Sequence, residues 1–118
     1  MGTNSYVRTR PVKDEPVITY TGSADAIDIS VANHFVLNRS GAVNSATLAD
    51  PDTTDNGRVI WITNGTTQAN TITITNGLGG SGGSYDTLTF LNVVAANVTL
   101  KAYGGKWYLV SQYGTTVS

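Results

Sequence analysis

Twenty residues from Gly57 to Asn76, GRVIWITNGTTQANTITITN, constrain the fold more than any other part of the chain. Ile72 and Ile74 alternate with threonines, and a period of two places one face of a strand in a core and the other in water. Both residue types are β-branched, which suits a pleated strand better than a helix. Asn64-Gly65 and Asn76-Gly77 supply residues that tolerate the positive φ of tight turns. The segment therefore predicts a β-hairpin with a threonine-rich outer face.

Short apolar runs separated by turn residues continue along the rest of the chain. They predict strands at Val17–Tyr20, Ile27–Val31, Phe35–Leu37, Ala46–Leu48, Val59–Thr63, Thr71–Thr75, Thr87–Phe90, Val98–Ala102 and Trp107–Gln112. No stretch has a sustained helical period. Strands this short at this spacing indicate an all-β domain over residues 17–118, a single antiparallel β-sandwich or barrel of jelly-roll-like type.

The alternation within these runs also predicts which side chains form the core. The expected core residues are Ile29, Leu37, Ile60, Ile62, Ile72, Ile74, Leu88, Phe90, Val98, Leu100 and Leu109. In the run Val59–Ile62 both alternating sets are apolar, which predicts that both faces of this strand are covered. A neighbouring subunit or a long loop of the same chain would each provide that cover.

Composition narrows the possible partners. Only 13% of the 118 residues are charged, the formal net charge is −1, and there is no cysteine. A nearly neutral surface has no long-range field to gather nucleic acid or an anionic membrane, so we expect neither as a partner. The absence of cysteine excludes disulfides, thiolate metal sites and a cysteine nucleophile. The sequence contains no run of about 18 apolar residues, so it predicts no membrane-spanning helix.

Three local motifs invite a ligand-binding interpretation. The glycine-rich stretch Gly77–Ser84 lacks the Lys-Ser/Thr of a P-loop and leads into a strand, so a mobile hairpin loop is expected. Asp50, Asp52 and Asp55 could bind calcium, but glycine and glutamate are missing where an EF-hand loop requires them, and aspartates also favour turns. His34, the single histidine, has no carboxylate pattern beside it that would indicate a general base.

No group of residues predicts catalysis. There is no G-x-S-x-G nucleophile motif. The acids Asp25, Asp28, Asp86 and Glu15 do not form a recognisable glycosidase pair. The aromatic residues Trp61, Trp107, Tyr103 and Tyr108 could stack on a sugar, although aromatics on strands more often pack in cores. We therefore expect a protein that is not an enzyme and that has no cofactor and no metal.

Residues 1–16 differ in composition from the rest of the chain. Charged residues concentrate there, and Pro11 and Pro16 favour extended backbone and lack an N–H. This composition predicts an extended N-terminal arm, with a frayed terminus as the alternative. The residues expected to contact a partner are Tyr6, Val7, Arg8, Arg10 and Lys13, because arginine forks pair with carboxylates and the apolar side chains fill shallow pockets.

Three blocks together resemble small structural proteins of tailed bacteriophages, including capsid cement (decoration) proteins and β-rich modules of phage fibres. They are SATLADPDTTDNGRVIWITNGT (Ser45–Thr66), ANTITIT (Ala69–Thr75) and ANVTLKAYGGKWYLVSQYG (Ala96–Gly114). Such modules typically have a turn before a G-R-x-I strand, a strand that ends in N-G, and a late A-x-G-G-x-W-Y-L-V hairpin. The blocks cover about two-thirds of the chain.

The resemblance implies a virion protein on the outer capsid surface that binds the major capsid protein and stabilises the shell. It also implies a homo-oligomer, with a trimer favoured over a dimer, and an N-terminal extension that grips the capsid. The alternative is a receptor-binding or carbohydrate-binding module of a phage tail or head fibre. A shallow, exposed aromatic groove that contains Trp107 or Tyr113 with acids beside it would favour this alternative.

Overall fold

The computed structural model describes residues 15–81 and 84–118, and these residues are nearly all β-structure. Within them there is no α-helix, and one 3-10 helix covers Thr53–Asp55. The ten strands are β1 (Val17–Tyr20), β2 (Ala26–Ile27), β3 (His34–Leu37), β4 (Ser45–Leu48), β5 (Val59–Asn64), β6 (Thr71–Ile74), β7 (Thr87–Phe90), β8 (Asn97–Tyr103), β9 (Lys106–Tyr113) and β10 (Thr115–Val117). The all-β prediction is confirmed.

The strands form two separate five-stranded sheets. Sheet A has the order β1-β3-β5-β8-β9, and sheet B has the order β10-β7-β6-β4-β2. The first six strands alternate between the sheets, and within each sheet they pair in parallel. The last four strands join both sheets by antiparallel pairing. The prediction of a purely antiparallel arrangement is therefore wrong for the first half of the chain.

The parallel half arises because the chain crosses to the opposite sheet after each short strand. Successive strands of one sheet are then separated by a full turn of the chain and run in the same direction. In sheet A, Ile18, Phe35 and Ile62 occupy one register position on three neighbouring strands. In sheet B, Ile27, Leu48 and Ile74 do the same. Because these side chains point inward at the same level, each turn of the chain adds one layer to the core.

The segment Gly57–Asn76 is not a hairpin, contrary to the sequence prediction. Its two strands, β5 and β6, lie in different sheets and do not pair. Gly65 does not adopt a positive φ, and its N–H donates to the carbonyl of Leu37, which continues the ladder of sheet A. A Cβ on Gly65 would lie 2.9 Å from a methyl group of Val36. Asn64-Gly65 is therefore a tightly packed crossover between the sheets.

Both sheets contribute to one buried cluster. The predicted core residues are fully buried except Ile29 and Leu109, which pack against the cluster and are only partly buried. The largest buried side chain is Trp107 on β9. Its indole Nε1–H donates to the carbonyl of Ala49 at 2.9 Å, so the polar atom of the ring is paired.

A relay of three buried asparagines joins the crossovers at one end of the core. The backbone N–H of Asn44 donates to Oδ1 of Asn70 at 2.7 Å, and Nδ2 of Asn70 donates to Oδ1 of Asn64 at 2.6 Å. Nδ2 of Asn64 in turn donates to the carbonyls of Gln68 and Val93. All three side chains are fully buried. The relay satisfies polar groups that the turns between the sheets would otherwise leave without partners in the core.

The ends of the predicted strands differ in two places. Residues 28–31 form a turn instead of extending β2, and Asp28 accepts hydrogen bonds from the backbone and hydroxyl of Ser30. The last strand predicted from the sequence corresponds to β9, which continues to Tyr113. Gly114 then turns the chain into β10 of sheet B, a strand that the sequence did not predict. The predicted turn at Gly104-Gly105 is confirmed, and both residues have a positive φ, as a two-residue hairpin of type I′ requires.

We predict that Ile74→Ala destabilises the protein by about 2–5 kcal/mol, because it removes buried methyl groups and leaves a cavity. Ile74 is fully buried on β6. Chemical denaturation followed by tryptophan fluorescence measures the change. A loss within about 0.5 kcal/mol would contradict the assigned burial.

We predict that Asn70→Ala costs about 2–4 kcal/mol of unfolding free energy, because it leaves two buried polar groups without partners. These are the N–H of Asn44 and Oδ1 of Asn64. Asn76→Ala is the matched control, because its side chain is exposed and, within the described part of the chain, bonds to Asp50 alone. Equal effects of the two substitutions in denaturation experiments would show that the relay does not stabilise the fold.

Candidate interaction surface

The side of sheet A that points away from the core carries a row of uncovered apolar side chains. We call this side the outer face of sheet A; its large exposed side chains are Val17, Val59, Trp61, Tyr103, Tyr108, Val110 and Tyr113. Trp61 is 46% exposed, whereas its neighbours Ile60 and Ile62 are buried on the opposite side. The sequence predicted cover on both sides of β5, but the described residues leave Val59 and Trp61 about half exposed.

His34 and Trp61 form the centre of this face. Their rings stack with centroids 4.3 Å apart and planes 11° from parallel. Register explains the contact, because parallel pairing of β3 and β5 puts the two residues side by side. His34 Nε2 lies 3.2 Å from the hydroxyl of Thr63. Together with Glu15 and Val17, the two rings line a shallow cavity of about 430 Å³.

A second apolar group lies on β8 and β9, beside the Gly104-Gly105 hairpin. Tyr103, Tyr108 and Val110 line a second shallow cavity of about 240 Å³ together with Lys101. Val110 is 59% exposed, and it is the extra residue of a bulge, because Thr99 pairs with Ser111 while Leu100 pairs with Leu109. The bulge shifts the alternation by one residue, which brings Tyr113 onto the same side of the sheet as Tyr108.

The strands of sheet A carry positive charge but no negative charge. None of the five strands of sheet A contains an aspartate or glutamate, and their only cations are Lys101 and Lys106. Nζ of Lys106 donates to the carbonyl of Asn76 at 2.7 Å. Partial burial lowers the pKa of His34, so this ring is more readily neutral than an ordinary histidine. The face is therefore apolar with a weak positive charge along one side.

The arrangement excludes Trp107 from any surface site. The tryptophan is fully buried and hydrogen-bonded, in agreement with the tendency of strand aromatics to pack in cores, so it cannot stack on a sugar. Trp61, Tyr103 and Tyr108 do lie on one exposed face. The groove expected for a fibre module would therefore have to use Tyr113 without Trp107.

The other predicted motifs have local structural roles. Asp52 caps the 3-10 helix, and Asp52 and Asp55 form a capping box, while Asp50 bonds to Asn76. Among residues 15–81 and 84–118 no group of three His, Asp or Glu side chains could hold a metal ion. In Gly77–Ser84, the N–H of Gly79 bonds to Trp107 and a Cβ there would meet the ring of Tyr108. This first part of the loop packs on β9, whereas residues 82–83 lie outside the described residues.

Sequence reasoning missed the role of Arg58, which follows Gly57 in the G-R-x-I motif. Its guanidinium donates to the carbonyls of Ile29 and Ala32, and its Nε donates to Oδ1 of Asn33 at 2.6 Å. An ion pair with Asp55 at 3.5 Å completes its contacts. Arg58 therefore fastens the turn before β3 to the start of β5 and positions His34 beside Trp61. The signal in the sequence was an arginine directly before an apolar strand, a position from which its guanidinium can bond to a neighbouring turn.

The predicted contact residues of the arm, Tyr6, Val7, Arg8, Arg10 and Lys13, all lie outside the described residues. The structure therefore does not relate them to the outer face of sheet A. Glu15, the first described residue, lies at the rim of the cavity in front of His34 and Trp61.

No protein-family model matches this chain, and no curated protein sequence matches it either. Among the described residues, no helix is both long and apolar enough to cross a membrane.

We predict that the protein loses stability as the pH falls within the range of histidine titration, roughly pH 8 to 5, because the unfolded state protonates His34 more readily than the folded state does. The pKa of His34 is lowered from 6.5 in the folded protein, so the loss begins as the pH falls through the ordinary value and ends below the folded one. Thermal unfolding of the wild type and His34→Phe across this range measures the effect.

His34→Phe keeps an aromatic ring against Trp61 but does not titrate, so its unfolding temperature should change less with pH. Asp28 does not contribute to the pH dependence in this range. Hydrogen bonds from Ser30 lower the pKa of Asp28 below its ordinary value of 3.8, so its contribution to stability is lost only at lower pH. An identical pH dependence in both proteins would contradict the assignment to His34.

Proposed function

We propose that this protein is a non-enzymatic structural protein of a tailed-bacteriophage virion, a capsid cement (decoration) protein that binds the outer capsid surface and stabilises the shell. The observation that carries the proposal is the resemblance of the three sequence blocks to such proteins. Ser45–Thr66 contains β4 and β5, Ala69–Thr75 contains β6, and Ala96–Gly114 contains β8 and β9. The blocks thus supply neighbouring strands of both sheets, which we infer to pack as a sandwich around their shared core.

Residues of the shared motifs hold this fold together. Arg58 fastens β5 to the preceding turn, Asn64 belongs to the buried relay, and Trp107 fills the core. These roles explain why a protein with this fold would keep the G-R-x-I, N-G and G-G-x-W patterns. The motifs therefore stabilise the fold. They support the proposed virion function only by resemblance, because the same patterns occur together in small structural proteins of tailed bacteriophages.

The proposed mechanism is stabilisation by preferential binding. A multimer that bridges neighbouring copies of the major capsid protein stabilises the assembled shell, because it binds the shell and not the free subunits. Several weak contacts act together when they are linked on one homo-oligomer, for which we favour a trimer. The uncovered apolar face of sheet A supports an assembly of this kind, since exposed apolar patches of this extent are typical of interaction sites.

Co-sedimentation tests the proposal. The full chain is mixed with intact capsids of the phage that encodes it, and in parallel with free coat protein. The proposal predicts saturable binding to capsids, little binding to free coat protein, and greater resistance of decorated capsids to heat. Absence of binding to intact capsids would refute it.

The alternative is a receptor-binding or carbohydrate-binding module of a phage fibre. The specific observation in its favour is the exposure of Tyr103, Tyr108 and Tyr113, because tyrosine rings can stack on sugar rings. Titration with host surface glycans, monitored by tryptophan fluorescence, separates the two functions. Glycan binding without capsid binding would favour the fibre module.

We predict that deletion of residues 1–13 leaves the β-domain folded, with little change in melting temperature, but strongly reduces capsid binding. The strands among the described residues begin at Val17, so the deletion removes no part of these strands. Ordering an extended arm costs backbone entropy, which only contacts with a partner can offset. Unchanged capsid affinity of the truncated protein would place the gripping surface on the β-domain instead.

A further inference from the structure

We propose that the outer face of sheet A packs against a second copy of this chain and is the contact that forms the homo-oligomer. The inference rests on the proposed function, because it names the surface by which the decorating multimer assembles. The face lies on the side of sheet A opposite the core, so covering it requires no change in the fold.

The extent of the face fits an interface between subunits. Aromatic side chains bury on the order of 150–250 Å² each when fully covered, so the partly exposed rings of Trp61, Tyr103, Tyr108 and Tyr113 leave on the order of 300–500 Å² of surface to bury. Specific interfaces bury roughly 800 Å² per partner, and the exposed valines of the face and surrounding polar residues such as Thr19 and Thr99 contribute to the remainder. The aromatic residues alone thus offer about half of the area that a stable contact requires.

The composition of the face also matches an interface between protein chains. The centre of such an interface is depleted in charge and enriched in tryptophan and tyrosine. Trp61 stands on β5, the middle strand of sheet A, and its ring is already held by the stack with His34. A large side chain that is fixed before binding loses little entropy when it is covered, which suits it to be an energetic anchor.

Charge argues against residues 1–14 as the occupant of the face. That segment contains Arg8, Arg10 and Lys13 against a single acid, Asp14. The face itself contains Lys101 and Lys106 and no carboxylate on its strands, so the segment would bring like charges together. A second copy brings the same two lysines on a face that is otherwise neutral, and Glu15 at its rim can lie near a lysine of the opposite copy.

Two substitutions on the face test the proposal, with one control outside it. Val110→Lys introduces a charge, and Trp61→Thr removes the anchor while keeping a residue that suits a strand. Val94→Lys is the control for the first, because Val94 is 54% exposed, similar to Val110, but lies in the loop between β7 and β8 and not on a strand of sheet A. Sedimentation equilibrium at micromolar concentration measures the mass, against 12.4 kDa for one chain.

We expect the wild type and Val94→Lys to be dimers or trimers, and both face variants to dissociate toward single chains. Loss of the Trp61 anchor should weaken association roughly 30-fold or more. Melting temperature and circular dichroism check that each variant is folded. A wild type that contains only single chains, or folded face variants that associate as tightly as the control, would overturn the proposal.

The same proteins distinguish this inference from the proposed function. If the face variants remain fully associated but the wild type still binds capsids, the inference fails and the decoration function stands. If the face variants dissociate while no form binds capsids, the contact is established and the decoration function fails. If the chain associates only after residues 1–13 are deleted, this segment covers the face in the full chain, and the inference is overturned.

Discussion

The buried relay Asn44–Asn70–Asn64 is the interaction on which the rest of this fold depends. A chain that crosses between two sheets after almost every strand must bury turns, and buried turns expose backbone polar groups to an apolar core. The side-chain amides of Asn70 and Asn64 resolve this conflict, because each accepts one hydrogen bond and donates another, in a series that begins at the backbone N–H of Asn44. Asn44 and Asn70 immediately precede β4 and β6, so the relay also keeps neighbouring turns of the chain in register.

The register set in this way determines the two faces of sheet A. On the inner side, equivalent apolar residues stack in layers and are closed by Trp107, whose indole bonds to Ala49. On the outer side, the same register brings His34 against Trp61. The core and the candidate interaction surface are thus two consequences of one pairing of β3 with β5. A slip by one residue would exchange the faces, which is why the register must be specified strongly.

The exposed aromatic surface is costly for a chain that remains alone, since apolar area in water favours association. The low charge of the protein does little to oppose association by repulsion. These features agree with a protein whose working state is an assembly, as the decoration proposal requires. In that state the hydroxyl and amide groups around the apolar residues would form the short-range hydrogen bonds of a polar rim.

The sequence by itself determined the all-β class, nearly all strand positions and most of the core, because alternation of β-branched and polar residues is a local signal. It also placed Trp61 on a strand with two apolar faces. Only the tertiary structure decided that β5 and β6 lie in different sheets, that half of the pairings among the described strands are parallel, and that Trp107 is buried while Trp61 is half exposed. Strand partners are set by contacts between residues far apart in the chain, and local patterns of hydrophobicity do not contain that information.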